Sequence, residues 1–233
     1  DRTAAKHEGT FGGGRKDEKR LHPEVAAVAG EAHGELIAGN QERAIQLFGE
    51  VVRRAPDHPD AYATLSEVFE GRNDEGDAER ALQLALVAAQ LYEGDAEGWR
   101  RVAILALDAS DPAPSPHRAL TSVEDTARDA LDRILTIDPA DSAALGDLAQ
   151  LLGRTGRHGE AADRCTAFLR ARDGGTVSAR QTALYLVLAE HCCEAERWAE
   201  AKMALKRALD DAGRLADAED MRARAAVELA RLK

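Results

Sequence analysis

With 233 residues, 44% of them apolar and 31% charged, the chain has the apolar content of a folded protein and no collagen-like or wholly disordered signature. Its net charge of −11 argues against broad non-specific nucleic-acid binding, which depends on Lys and Arg neutralising phosphates. No apolar run approaches the roughly 18 residues of a membrane span. Cys165, Cys192 and Cys193 are odd in number and lack a framework spacing, so they read as free thiols of a reducing compartment. The chain begins at Asp1 rather than Met, which reads as a piece of a longer protein.

Residues 1–22 are polar and glycine-rich, with FGGG followed by RKDEKR and six basic residues against four acidic ones. They are expected to form a disordered basic lead-in, a solvated tether or part of a nuclear localisation signal. From Pro23, suited to a helix's first turn, a helix is expected to Ala38. Its partner runs Gln41–Arg54. A second pair is expected over Ala61–Glu70 and Asp77–Leu91, with extra residues near Asp74–Gly76. Glu93 then stands where Pro56 stands after the first pair, and Gly94-Asp95 supplies a turn and a cap. Trp99 opens a third pair through Val102, Ala103 and Ala106. The prolines of DASDPAPSPHR interrupt it as an insertion near 110–122, a solvent loop or a partner-binding or phosphorylated one at Ser115-Pro116. The helix resumes near Ser122 and runs to Ile137. A fourth pair is marked by Leu145, Leu148, Ala149, Leu152, Gly156, Ala161 and Phe168. Gly156 suits a left-handed turn residue. After a break at Asp173-Gly174-Gly175, Tyr185, Leu188, Ala189, Ala201, Leu205 and Ala208 mark a fifth, with Trp198 in its inter-helix turn. Leu215–Leu232 forms a last helix, acidic early and basic late as the helix dipole favours. Its Ala225, Ala226 and Ala230 are expected to leave a small-residue face exposed.

The stretch GNQERAIQLFGEVVRRAPDHPDAYATL, residues 39–65, sets the pattern. A small residue at Ala44 lets two helices approach closely. The aromatic Phe48 fills the gap to the next pair, and Pro56 stops the second helix. The small position recurs at Ala81, Ala127, Ala161 and Ala201, at spacings of 37, 46, 34 and 40. This resembles the tetratricopeptide repeat (TPR), a 34-residue helix–turn–helix unit with insertions placed in turns. The resemblance implies an all-α fold, a right-handed αα-superhelix of antiparallel pairs: about five repeats plus a final helix over 23–233.

No motif of catalysis is present. FGGG precedes no strand and lacks a following GK[ST], and no His pair has HExxH spacing. His7, His22, His33, His58, His117, His158 and His191 are scattered over different elements. No enzyme activity, cofactor or metal is expected. Function is expected instead on the concave face lined by the first helix of each pair. The positions are His33 and Ile37; Asp60, Ala63, Glu67 and Glu70; Glu97, Arg100, Arg101 and Ile104; Ala143, Gln150 and Gly153; and Leu186 and Glu190. The acidic set would attract a basic peptide, or else be a solvated helix face. Chaperone-binding TPR domains grip a C-terminal carboxylate through Lys, Asn and Arg. Here the corresponding places carry Ala29, Ala63 and Glu67, and only Arg100 and Arg101 suit that role.

Residues 23–107 are similar to the start of the TPR subunit of transcription factor IIIC (TFIIIC), an RNA polymerase III assembly factor. The similarity is carried by RKDEKRLHPEV, the Gly30-Glu31-Ala32 run, ERAIQLFGEVVRRAPDHPDAY, the helix string LQLALVAAQL and the junction GDAEGWRRVA. It implies a nuclear, non-enzymatic scaffold that joins other TFIIIC subunits and recruits the initiation factor TFIIIB, without sequence-specific nucleic-acid binding of its own. The rival readings are a generic adaptor or co-chaperone-like module, cytoplasmic, or the TPR part of a larger enzyme.

Overall fold

Pro23 opens α1 (Pro23–Ile37), where its fixed φ and missing N–H cost the helix nothing. The computed structural model describes residues 21–110, 122–172 and 177–232. The lead-in apart from Leu21 and His22, the interior of the proline-rich insertion with Ser115-Pro116, and the Asp173-Gly174-Gly175 break lie outside the described residues. Among these, eleven helices and no strand occur. After α1 come α2 (Gln41–Arg54), α3 (Pro59–Arg72), α4 (Asp77–Leu91), α5 (Ala96–Asp108) and α6 (Ser122–Ile137). They are followed by α7 (Ser142–Arg154), α8 (His158–Arg170), α9 (Ala179–Glu194), α10 (Trp198–Ala212) and α11 (Glu219–Arg231).

The chain divides into two compact units, one holding α1 and α2, the other running from Pro59 onward. In the first, α1 and α2 close on Ala32, Ala44, Leu47, Phe48 and Val51. In the second, consecutive helices pack in turn, and one apolar cluster runs from Ala81 of α4 to Ala225 of α11. This is how a repeat array buries surface: each pair covers its neighbour rather than a common centre. The five recurring alanines, Ala44, Ala81, Ala127, Ala161 and Ala201, are all fully buried.

Local chemistry places the helix ends. Asp95 caps α5 by accepting from the Glu97 N–H, Asp141 caps α7 through the Ala143 and Ala144 N–H groups, and Ser178 caps α9 through Gln181. Three of the turns within pairs share one hydrogen-bond pattern. The Gly39, Gly156 and Glu196 N–H groups reach three residues back, and the following N–H reaches five back, closing a Schellman turn. All three residues are left-handed, at φ +83°, +74° and +59°. At the softer boundary after α4, the carbonyl of Glu93 accepts from the buried Trp99 indole at 3.0 Å, a tether that replaces the usual proline.

Three expectations are corrected. Trp198 is not in a turn but is the first residue of α10, because Arg197 takes the last turn position and donates to the Cys192 carbonyl. The last helix starts at Glu219 rather than Leu215, because Asp217 is left-handed and breaks any earlier start. In that helix Ala225 is buried, while Ala226 and Ala230 stay exposed.

Candidate protein-interaction surface

The first helices of the pairs carry the outward positions named from the sequence. His33, in the α1–α2 unit, bonds the Ala29 carbonyl at 2.8 Å and sets its ring edge-on to Phe48, centroids 4.9 Å apart. In the larger unit, Asp60, Glu67 and Glu70 are exposed along α3, Glu97 along α5 and Gln150 on α7. Arginines connect these helices. Arg101 of α5 pairs with Glu70 of α3, lies 3.7 Å from Glu67, and donates to the buried Ser66 hydroxyl. Arg100 reaches the Asp141 carboxylate at 2.6 Å, joining α5 to the cap of α7, and touches Glu97 at 3.3 Å. Glu190 of α9 pairs with Arg224 of α11 at 3.2 Å. Burial pushes the Asp141 carboxyl up. The Ala144 and Ala143 amides and Arg100 outweigh that and hold it below the ordinary carboxylate value.

The two arginines suited to gripping a carboxylate are therefore occupied. Arg100 and Arg101 fasten neighbouring helices to each other, which the sequence does not reveal because their partners lie 41 and 31 residues away. Ile104 is half exposed beside them and adds an apolar contact point. Leu186, expected on this face, is buried in the apolar cluster instead.

Gly153 is not an open groove position either. A Cβ there would lie 2.6 Å from Cε1 of His191, so the missing side chain makes room for an imidazole. His191, almost fully buried on α9, faces His158 at the start of α8, their Nδ1 atoms 3.1 Å apart. Burial and then His158 hold the His191 ring below the ordinary imidazole value. The sequence places the two rings on different elements. Only the packing of α8 against α9 brings them together.

On the second helices, a cleft of about 560 Å³ opens between α4 and α6. Trp99 lines it, with the Arg133 guanidinium 5.7 Å over the ring, and Leu86, Gln90 and Thr136 join them. Its Asp132 is held by Arg164 at 2.7 Å. Cys165 and Cys192 are free and fully buried. Burial pushes their thiols up to about 12 and about 11, as suits packing residues. Among the described residues no three His, Cys, Asp or Glu side chains are gathered to hold a metal ion, and no helix is long and apolar enough to cross a membrane.

Stacked helix pairs with a small residue at the crossing and left-handed turns between helices define the tetratricopeptide-repeat fold. Solved structures agree. The chain is similar to the MamA protein at TM-score 0.55, with 15% identity over 80% of this chain and 91% of that one. It is similar to YrrB, described as a TPR protein with an unusual peptide-binding site, at TM-score 0.54 and 13% identity over 80% and 86%. A tetratricopeptide repeat protein from Parabacteroides merdae gives 0.54 over 91% of this chain and 77% of that one, at 15% identity. In sequence the chain resembles two transcription-factor subunits. General transcription factor 3C polypeptide 3 of Homo sapiens is 33% identical over 94 residues, 40% of this chain and 10% of the relative. The transcription factor tau 131 kDa subunit of Saccharomyces cerevisiae is 26% identical over 154 residues, 65% of this chain and 13% of the relative. The chain thus spans about a tenth of the length of these relatives. No protein-family profile matches it. It is a TPR-fold chain resembling the TPR subunit of TFIIIC, and that likeness supports a protein-interaction scaffold.

Proposed function

We propose that the chain is a non-catalytic docking segment of RNA polymerase III transcription. It acts in the nucleus, and TFIIIB and other TFIIIC subunits are its partners. The observation that carries this is the 33% identity to a human transcription-factor subunit over 94 residues, joined to a repeat fold that offers extended helix faces for partner segments. The docking surface is the outward face of α3, α5 and α7. Glu67, Glu97 and Asp60 give it negative charge, Ile104 apolar contact and Gln150 an amide. Arg100, Arg101 and Glu70 hold that face in shape. Its complement is a basic, flexible segment.

The experiment is co-purification from a nuclear extract on the immobilised chain, at low and moderate salt. Recovery of TFIIIB or TFIIIC subunits, weaker as salt rises, is the expected outcome. Recovery of chaperones, or of no nuclear protein, overturns the assignment and leaves a generic adaptor.

A further inference from the structure

The His158–His191 contact is built rather than incidental. His158 is the first residue of α8, fixed by the Schellman turn that begins at Gly156. His191 projects from the last part of α9 and is 5% exposed. Gly153 of α7 has no side chain where the His191 ring lies, and it sits within the same turn. Three helices therefore meet at one ring pair whose Nδ1 atoms are 3.1 Å apart. In the neutral pair one Nδ1–H donates to the other ring's Nδ1 lone pair. One added proton is tolerated, because a donor still faces an acceptor. With both rings doubly protonated, two donors and two positive charges face each other inside a water-poor contact, and the bond is lost.

We propose that His158 and His191 form a proton-operated catch. It holds the α7–α8 turn against α9 while the pair keeps an acceptor and releases it when both rings are charged. The charged groups around the pair do not cancel this. On α9 itself, Glu190 and Glu194 favour the charged ring, but Glu190 is already paired with Arg224 of α11. From the turn before α10, Arg197 donates to the Gly159 carbonyl next to His158 and is held by Asp163 and Glu200. From α7, Arg154 beside Gly153 reaches Ser110 through Nη1 at 3.4 Å. The direction is toward opening on acidification. The buried His191 ring resists the proton that an unfolded imidazole accepts near pH 6.5. Stability is fully present above that pH and declines as pH falls through it.

Hydrogen exchange on the unmodified chain between pH 7.5 and 5.5, corrected for intrinsic exchange, tests the catch. Amides of α8 and α9 should lose protection by up to about tenfold per pH unit below 6.5, while α3 and α4 stay unchanged. In His158→Gln the loss should shrink, because burial of His191 remains while the facing charge is gone. Unchanged protection in α8 and α9, an equal loss in every helix, or an unaltered response in His158→Gln overturns the proposal. Imidazole NMR of the unmodified chain gives a reading that needs no variant. Two rings titrating in separated steps support the catch, and two rings titrating together near the ordinary value refute it.

Discussion

Asp77, at the first position of α4, is wholly buried and accepts from four donors. Arg72 binds it with two nitrogens at 2.7 and 2.8 Å, Arg80 with one at 2.9 Å, and the Asp74 N–H adds a fourth at 3.1 Å. The Arg72 guanidinium does most to hold the carboxyl far below the usual carboxylate range. The residues that look like a mere insertion in the α3–α4 turn are thus fastened by a charged knot. The sign of its pH dependence follows. The folded state refuses a proton that the unfolded chain binds near pH 3.8, so the stability is present above that value and lost as pH falls through it. Asp77→Asn should melt at lower temperature at pH 7 and should lose less of its melting temperature between pH 5 and 3 than the unmodified chain. Thermal melting by circular dichroism at both pH values checks this. Equal slopes would show that another carboxylate governs acid lability.

At the scale of elements, the helices were legible because apolar periodicity and punctuation agree. The alanine at each crossing is buried without exception, and Pro23, Asp95, Gly39 and Gly156 end or begin helices where their chemistry demands. What the sequence hid was the third Schellman turn. Glu196 occupies it with φ +59°, and nothing about a glutamate announces a left-handed residue. The start of α11 was missed for the same reason, since Asp217 is also left-handed. The candidate face was half legible. Periodicity located Glu67, Glu97 and Gln150 on exposed positions. It had no means of finding the distant carboxylates that occupy Arg100 and Arg101. Nor did it find the ring that fills the space above Gly153, because such contacts are set by stacking rather than by spacing. The turn makes a direct prediction. Left-handed backbone costs a side-chain-bearing residue roughly 1–2 kcal/mol, and glycine gives back part of that in lost flexibility. Glu196→Gly should therefore stabilise the chain by about 0.5–1 kcal/mol, measured by urea unfolding. The opposite sign would mean that the glutamate side chain contributes contacts of its own.

Across the whole molecule, charge does two separable jobs. One set of ion pairs joins helices, or their caps, two apart in the chain, and so links one helix pair to the next within the larger unit: Glu70–Arg101, Arg100–Asp141, Asp132–Arg164, Asp163–Arg197 and Glu190–Arg224. These pairs are neutral, so they leave the net charge of −11 untouched. Glu67 and Glu97 are the exposed second partners of Arg101 and Arg100, which keep Glu70 and Asp141 when either is changed. Reversing both perturbs folding less than reversing Glu70 or Asp141, which would disturb the stack itself. An exposed ion pair is worth roughly 0.2–1 kcal/mol, and reversal replaces an attraction with a repulsion. Glu67→Lys/Glu97→Lys should therefore bind a basic partner segment about tenfold more weakly at low salt, with a melting temperature lowered only slightly by the new repulsions from Arg101 and Arg100. The difference should vanish near 1 M salt, where screening acts over roughly 3 Å. Titration of the chain against a lysine-rich peptide from the co-purified partner, at both salt levels, reads it directly. Equal affinity of the two proteins at low salt would move the docking face off α3 and α5, and the cleft beside Trp99 and Arg133 would be the next surface to reverse.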